Sequence, residues 1–191
     1  VLTGAALALS LSACAPKEKA EIPPVPPPPA AGAPAVTVAT LDDLKDMPAP
    51  YDDKATPEQI TGQIDAAYVR AGQSGKRVLV DMGGNWCVWC RGLAGVMHRP
   101  EVAPFIEKNF EVVYVDVTSK EGSTDLNKHT FSRFKLAKDP DHFPWVIVTE
   151  PDGTVLESSY EITDKGNETP QAWINWLARY AQTPTPTESK V

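Results

Sequence analysis

Cysteine is scarce in this chain, with only Cys14, Cys87 and Cys90 among 191 residues. Three thiols, two of them at C-x-x-C spacing, exclude a disulfide framework for a domain of this size. The odd one must be free, modified or paired with another molecule. A structural zinc site wants four ligands, usually with a second close cysteine pair, and no such pair is present. Positive charge is short as well. The net charge is −7; residues 14–53 set three Lys against seven Asp and Glu, and 54–191 carry the remaining −3. An acidic chain with no basic stripe lacks the electrostatic footprint of a nucleic-acid binder. The apolar stretch 1–14 falls short of the about 20 residues that span a bilayer, and no internal repeat is visible.

That amino-terminal stretch, VLTGAALALSLSAC, is uncharged and apolar, with small residues before the cysteine, in the manner of a secretory signal and its cleavage site. Residues 1–13 are therefore expected to be a signal peptide. Leu11 to Cys14, LSAC, resembles the lipobox of bacterial lipoproteins, which implies that Cys14 is acylated. Several acyl chains on one cysteine anchor stably where a single chain does not. The next segment is proline-rich: ten of the 19 prolines fall between Pro16 and Pro50, including EIPPVPPPPAAGAP. Proline fixes φ and removes a donor, so this segment is biased to extended polyproline II. Residues 14–53 read as a lipidated Pro-rich linker and 183–191 as a polar tail. The expected location is the bacterial cell envelope, with the domain lipid-anchored and facing the periplasm or the outside.

From residue 54 to 182 the pattern becomes periodic. Thr56 caps and Pro57 opens a helix whose apolar stripe is Ile60, Ile64, Ala67 and Ala71. RVLVDM (77–82) is a buried-strand run, and CVWCRGLAGVMH a helix, continued after a break at Pro100 by PEVAPFIEKNF. EVVYVDV (111–117) is a second strand. STDLNKHTFSRFKL reads as a surface helix with Leu126 and Phe134 turned inward. WVIVTE and TVLESS flank PDG, a hairpin signal. TPQAWINWLARYA closes as a helix with Trp173, Trp176, Leu177 and Tyr180 on one face. Helices alternating with strands and closing on a hairpin predict an α/β domain with a mixed sheet covered on both faces.

A lone C-x-x-C supports a metal half-site, a static disulfide or a cycling redox pair. Its context is more specific. The run VLVDMGGNWCVWC, Asp81 six residues before Cys87, and HFPWVIV with Pro144 just before a strand together resemble the thioredoxin superfamily over residues 54–182. The resemblance implies a thioredoxin-like mixed central sheet of about four to five strands flanked by helices. It also implies a thiol-disulfide oxidoreductase, most simply a reductase, that needs no metal or organic cofactor.

In such a protein Cys87, at a helix start, is the attacking thiolate, and Cys90, one turn along, resolves the mixed disulfide. Asp81 would accept and return the Cys90 proton. Pro144, in a cis peptide, would expose a backbone edge to an extended substrate. Trp86, Trp89 and Trp145 would surround Cys87 as an apolar landing surface. The partners implied are protein thiols and disulfides, an upstream redox partner, and the membrane through the lipid anchor. Two rival functions share these features. One is copper or zinc binding or delivery by Cys87, Cys90 and His98 or His142; the other is a non-catalytic thioredoxin-like binding module with a static disulfide. His98, His129 and His142 otherwise read as polar surface or loop residues.

Overall fold

The computed structural model of the chain describes residues 26–38, 40, 44, 47–117, 128–136, 140, 142–163 and 168–181. Cys14, Leu126, the signal-like stretch and the polar tail lie outside them.

Helix α1 (Pro57–Ser74) begins at a full capping box: the Thr56 hydroxyl accepts from Gln59 N, and the Gln59 side chain accepts from Thr56 N. It ends at Gly75, whose φ of 70° is the left-handed conformation that glycine adopts without cost. Its buried residues are Ile60, Ile64, Ala67 and Ala71, the stripe read from the sequence. Strand β1 (Arg77–Gly83) leads into α2 (Val88–Met97), α3 (Ala103–Asn109) and β2 (Phe110–Asp116). Then come α4 (Lys128–Phe134), β3 (Trp145–Thr149), β4 (Val155–Ser158), the short α5 (Tyr160–Thr163) and α6 (Pro170–Ala178).

Among the described residues the sheet has four strands in the order β2-β1-β3-β4. β2 runs parallel to β1, while β3 and β4 are antiparallel to their neighbours. The Pro151-Asp152-Gly153 turn joins β3 to β4: Asp152 Oδ1 accepts from Thr154 N at 2.9 Å, and Gly153 takes φ 88°.

Period-two alternation along the strands divides the interior into two cores. Val78, Val80 and Met82 of β1, with Trp145 and Ile147 of β3, pack with the α1 stripe and with Phe131 and Phe134 of α4. Leu79, Val146 and Val148 face the other way, onto Leu93 and Val96 of α2 and Trp173, Trp176 and Leu177 of α6. Both faces of the sheet are thus covered. β1, between two neighbours, is buried at every position but its first.

The proline-rich stretch expected as a free tether is in part a strap across the domain. Polyproline backbone makes no internal hydrogen bonds, so its amides and carbonyls are open to side chains. Gln171 and Asn175, one turn apart on α6, use them. Gln171 accepts from Val36 N at 2.8 Å and donates to Pro34 O at 3.1 Å. Asn175 accepts from Ala30 N and donates to Pro28 O, both at 2.8 Å. Val38, Leu44 and Tyr51, further along the same stretch, are buried against the domain. Among the described residues, contacts with the domain therefore reach back as far as Pro28.

Candidate active site

The site stands where β1 ends and α2 begins. Two glycines make that junction passable. A Cβ on Gly83 would lie 2.6 Å from Cys90 Sγ and 2.9 Å from Tyr51 Oη, distances that side-chain carbons do not tolerate. A Cβ on Gly84 would collide with the Trp86 indole, which folds back over it. Cys87 then caps α2: its backbone is extended (φ −88°, ψ 111°) and its sulfur accepts from Cys90 N at 3.1 Å. Cys87 and Cys90 are joined in a disulfide, with Cα atoms 5.2 Å apart. The two differ in access. Cys87 is 7 % exposed and Cys90 not at all.

The Phe143–Pro144 peptide is cis. Phe143 O lies 3.7 Å from Cys87 Sγ, so the loop before β3 faces the more accessible of the two cysteines. Trp86, Val88 and Trp89, next to the cysteines in sequence, are among the most exposed large apolar residues, each about half accessible. The Trp86 ring meets Phe143 edge-on at 6.2 Å.

Trp145 does not join them. It is 1 % exposed and packs in the α1-side core, with ring contacts to His142 at 5.1 Å and Tyr160 at 6.0 Å. Alternation along β3 explains this: Val146 points to the α2 side, so Trp145 must point to the opposite face. The sequence placed it one residue from Pro144, but in a strand one residue is the difference between two faces. His98 is exposed and its Nδ1 pairs with Ala94 O at 2.7 Å, back along its own helix. Among the described residues no group of three His, Cys, Asp or Glu side chains is arranged to hold a metal ion.

Asp81 is fully buried at the penultimate pair of β1 with β3, opposite Val146, and reaches the cysteine cluster through Tyr51. It shares Leu79's face, the one covered by α2. Burial pushes its carboxyl up from 3.8 to about 7, and a hydrogen bond from Tyr51 pulls the other way. Tyr51 Oη donates to Asp81 Oδ1 at 3.0 Å, while Asp81 Oδ2 has no hydrogen-bond partner among the described residues. Burial beside this carboxylate raises the Tyr51 phenol far above its ordinary range, and burial raises Tyr114 likewise, so both phenols stay protonated at any working pH.

Tyr51, Cys87 and Cys90 form one small buried cluster, with Tyr114 and Phe143 against it. Asn85, in the loop ahead of Cys87, accepts from Tyr51 N at 3.3 Å and donates to Tyr51 O at 2.7 Å. Arg91, just after Cys90, donates to Met47 O and Pro48 O at 2.7 and 3.0 Å. Sequence reading missed Tyr51, Asn85 and Arg91. Tyr51 lies 30 positions before Asp81 in a stretch judged by composition, and no local spacing signals such a contact.

Comparison with known proteins agrees with this geometry. Residues 59–151 match the family model described as thioredoxin-like. Among solved structures, a disulphide isomerase from Xylella fastidiosa Temecula1 superposes with a TM-score of 0.57 at 26 % identity. The match covers 70 % of this chain and 97 % of that one. No curated protein matches the chain. With the fold, the C-x-x-C pair at the helix cap and these likenesses together, the chain has a thioredoxin-like fold and is a thiol-disulfide oxidoreductase whose redox centre is Cys87–Cys90.

Proposed function

We propose that the protein reduces disulfides of other polypeptides in the bacterial envelope, held to the membrane by lipid on Cys14. The observation that carries the exchange chemistry is the position of Cys87 Sγ: at the cap of α2, accepting a backbone N–H, and at the rim of an exposed tryptophan surface. Helix-terminal N–H groups and the dipole favour a thiolate there.

In the reduced enzyme the Cys87 thiolate attacks one sulfur of a substrate disulfide. A Cys87–substrate bond forms, and the other substrate sulfur leaves as thiolate. Cys90 then gives its proton to the Asp81 carboxylate and attacks Cys87 Sγ. The Cys87–Cys90 bond forms, the remaining substrate sulfur departs as thiolate, and both substrate thiolates take up protons. The substrate gains two electrons and the enzyme dithiol loses two. Trp86 and Trp89 supply apolar area for an incoming chain, and the Phe143–Pro144 edge offers a carbonyl next to the attacked bond. An upstream dithiol partner must return the electrons.

The solved relative is titled a disulphide isomerase, which favours a second reading, reshuffling of wrong disulfides. Equilibrating the domain with glutathione buffers of graded poise separates the two. A reductase should titrate near the about −270 mV of thioredoxin, and an isomerase near about −180 mV. A pair that never reduces across that range is a static disulfide and would end both readings. The anchoring proposal has its own test. Cys14→Ser should release or misprocess a protein that otherwise fractionates with membranes; unchanged attachment removes the lipid.

A further inference from the structure

Among the described residues of the strap, Tyr51 is the one that joins the cysteine cluster. Its backbone is tied at both polar atoms to Asn85 of the cysteine loop. The residues just before it are gripped by Arg91 of α2. Its ring is 3 % exposed and stands edge-on to Tyr114 at 5.4 Å. Its hydroxyl is thereby aimed at Asp81 Oδ1, 3.0 Å away. That hydroxyl and the resolving sulfur border the same space above Gly83, a Cβ there lying 2.9 Å from Tyr51 Oη and 2.6 Å from Cys90 Sγ.

We propose that Tyr51, carried by the strap and not by the α/β core, is a positioning residue of the redox centre: its hydroxyl holds the Asp81 carboxylate ready to take the Cys90 proton. The proposal rests on the exchange reading above and names a residue that reading does not use. Two independent elements of the cysteine motif, Asn85 before it and Arg91 after it, commit their polar groups to holding this segment. A chain that served only as a tether would have no use for that fixing.

The electrostatic sense is defined. A phenol donor stabilises the charged form of a buried carboxylate, against the burial that disfavours it. The ionisable groups that interact with Asp81 are Tyr51 from the strap and Tyr114 from β2, while Asp116 of β2 and Cys90 of α2 stand near Tyr51. Of these, Tyr51 is the one with a hydroxyl seen to donate to it.

The test uses the full chain and Ellman's reagent, a symmetrical aromatic disulfide. Attack by Cys87 releases one coloured thiolate, and attack by Cys90 on the resulting mixed disulfide releases the second, so the slow phase reports resolution. Tyr51→Phe keeps the ring and removes the donor. The pH midpoint of the second phase should rise by about one pH unit, which is about a tenfold slowing below the midpoint, with the high-pH plateau retained. In an Asp81→Asn background the same change should add no further slowing. Asn85→Ser, which unties the Tyr51 backbone, should move the midpoint the same way by less. An unmoved midpoint, equal slowing at every pH, or additive losses in the double variant would each overturn the proposal. If the wild type shows no Cys90-dependent phase, the exchange reading itself fails and takes this inference with it.

Discussion

Replacing Asp81 by Asn should make the oxidised protein more stable at alkaline pH while slowing its chemistry. The carboxyl titrates at 3.8 when unfolded and at about 7 when folded, because the folded site withholds water from the charged form. A raised folded-state pKa means that the native state binds the proton more tightly. Its contribution to stability is full below 3.8 and is lost as pH rises through about 7. The gap corresponds to about 4 kcal/mol, an appreciable part of the about 5–15 kcal/mol that holds a typical domain. Asn keeps an acceptor for Tyr51 but leaves its amide N–H groups where Asp81 Oδ2 already lacks a partner. An unmet buried donor costs about 1–3 kcal/mol at every pH. The diagnostic is therefore the slope.

Guanidinium unfolding of the disulfide form from about pH 4 to about pH 9 should show the wild type losing about 4 kcal/mol relative to Asp81→Asn, with the variant ahead above about pH 7. Glu101 and Glu111, whose pKa values lie below the usual carboxylate range, act in the opposite sense but equally in both proteins, so they cancel. Parallel stability curves would show that Asp81 is not charged and desolvated in the folded state. The resolving step would then lack its base.

The same packing sets the other expectations. Trp86→Ala and Trp89→Ala, both at exposed positions, should change stability by no more than about 0.5 kcal/mol and weaken polypeptide substrates selectively over small thiols. Trp145→Ala should do the reverse, costing about 3–5 kcal/mol in a denaturant melt through the core cavity it leaves. Equal effects of the three would refute the division into surface and core. Gly83→Ala puts a methyl against Cys90 Sγ and Tyr51 Oη, so turnover should fall and the disulfide should become easier to reduce; a silent substitution would contradict the packing.

Much of the fold could be read from spacing alone, because the elements are locally self-consistent. The α1 stripe, the buried β1 run, the PDG hairpin and the Trp173/Trp176 face are each set by neighbours within one or two turns. Three things were not readable, for physical reasons. The proline-rich stretch was judged by average composition, yet its docking depends on two amide side chains of α6, Gln171 and Asn175, far along the chain. Trp145 was judged by its distance in sequence from Pro144, whereas strand alternation turns it to the opposite core. Tyr51 carries no motif at all. Its meaning comes from Asp81, Asn85 and Gly83, none of them near it in sequence. The cysteine pair and the loop before β3 were readable because their chemistry fixes a short spacing and a fixed order.

The most direct test of the central claim is trapping. The full-length reduced protein, as Cys90→Ser and separately as Cys87→Ser, is mixed with a disulfide-containing polypeptide and quenched by alkylation. The geometry predicts that Cys90→Ser accumulates a covalent adduct through Cys87, the helix cap and the more accessible of the two cysteines, and that Cys87→Ser accumulates none. Adducts through Cys90, or none in either variant, would contradict it.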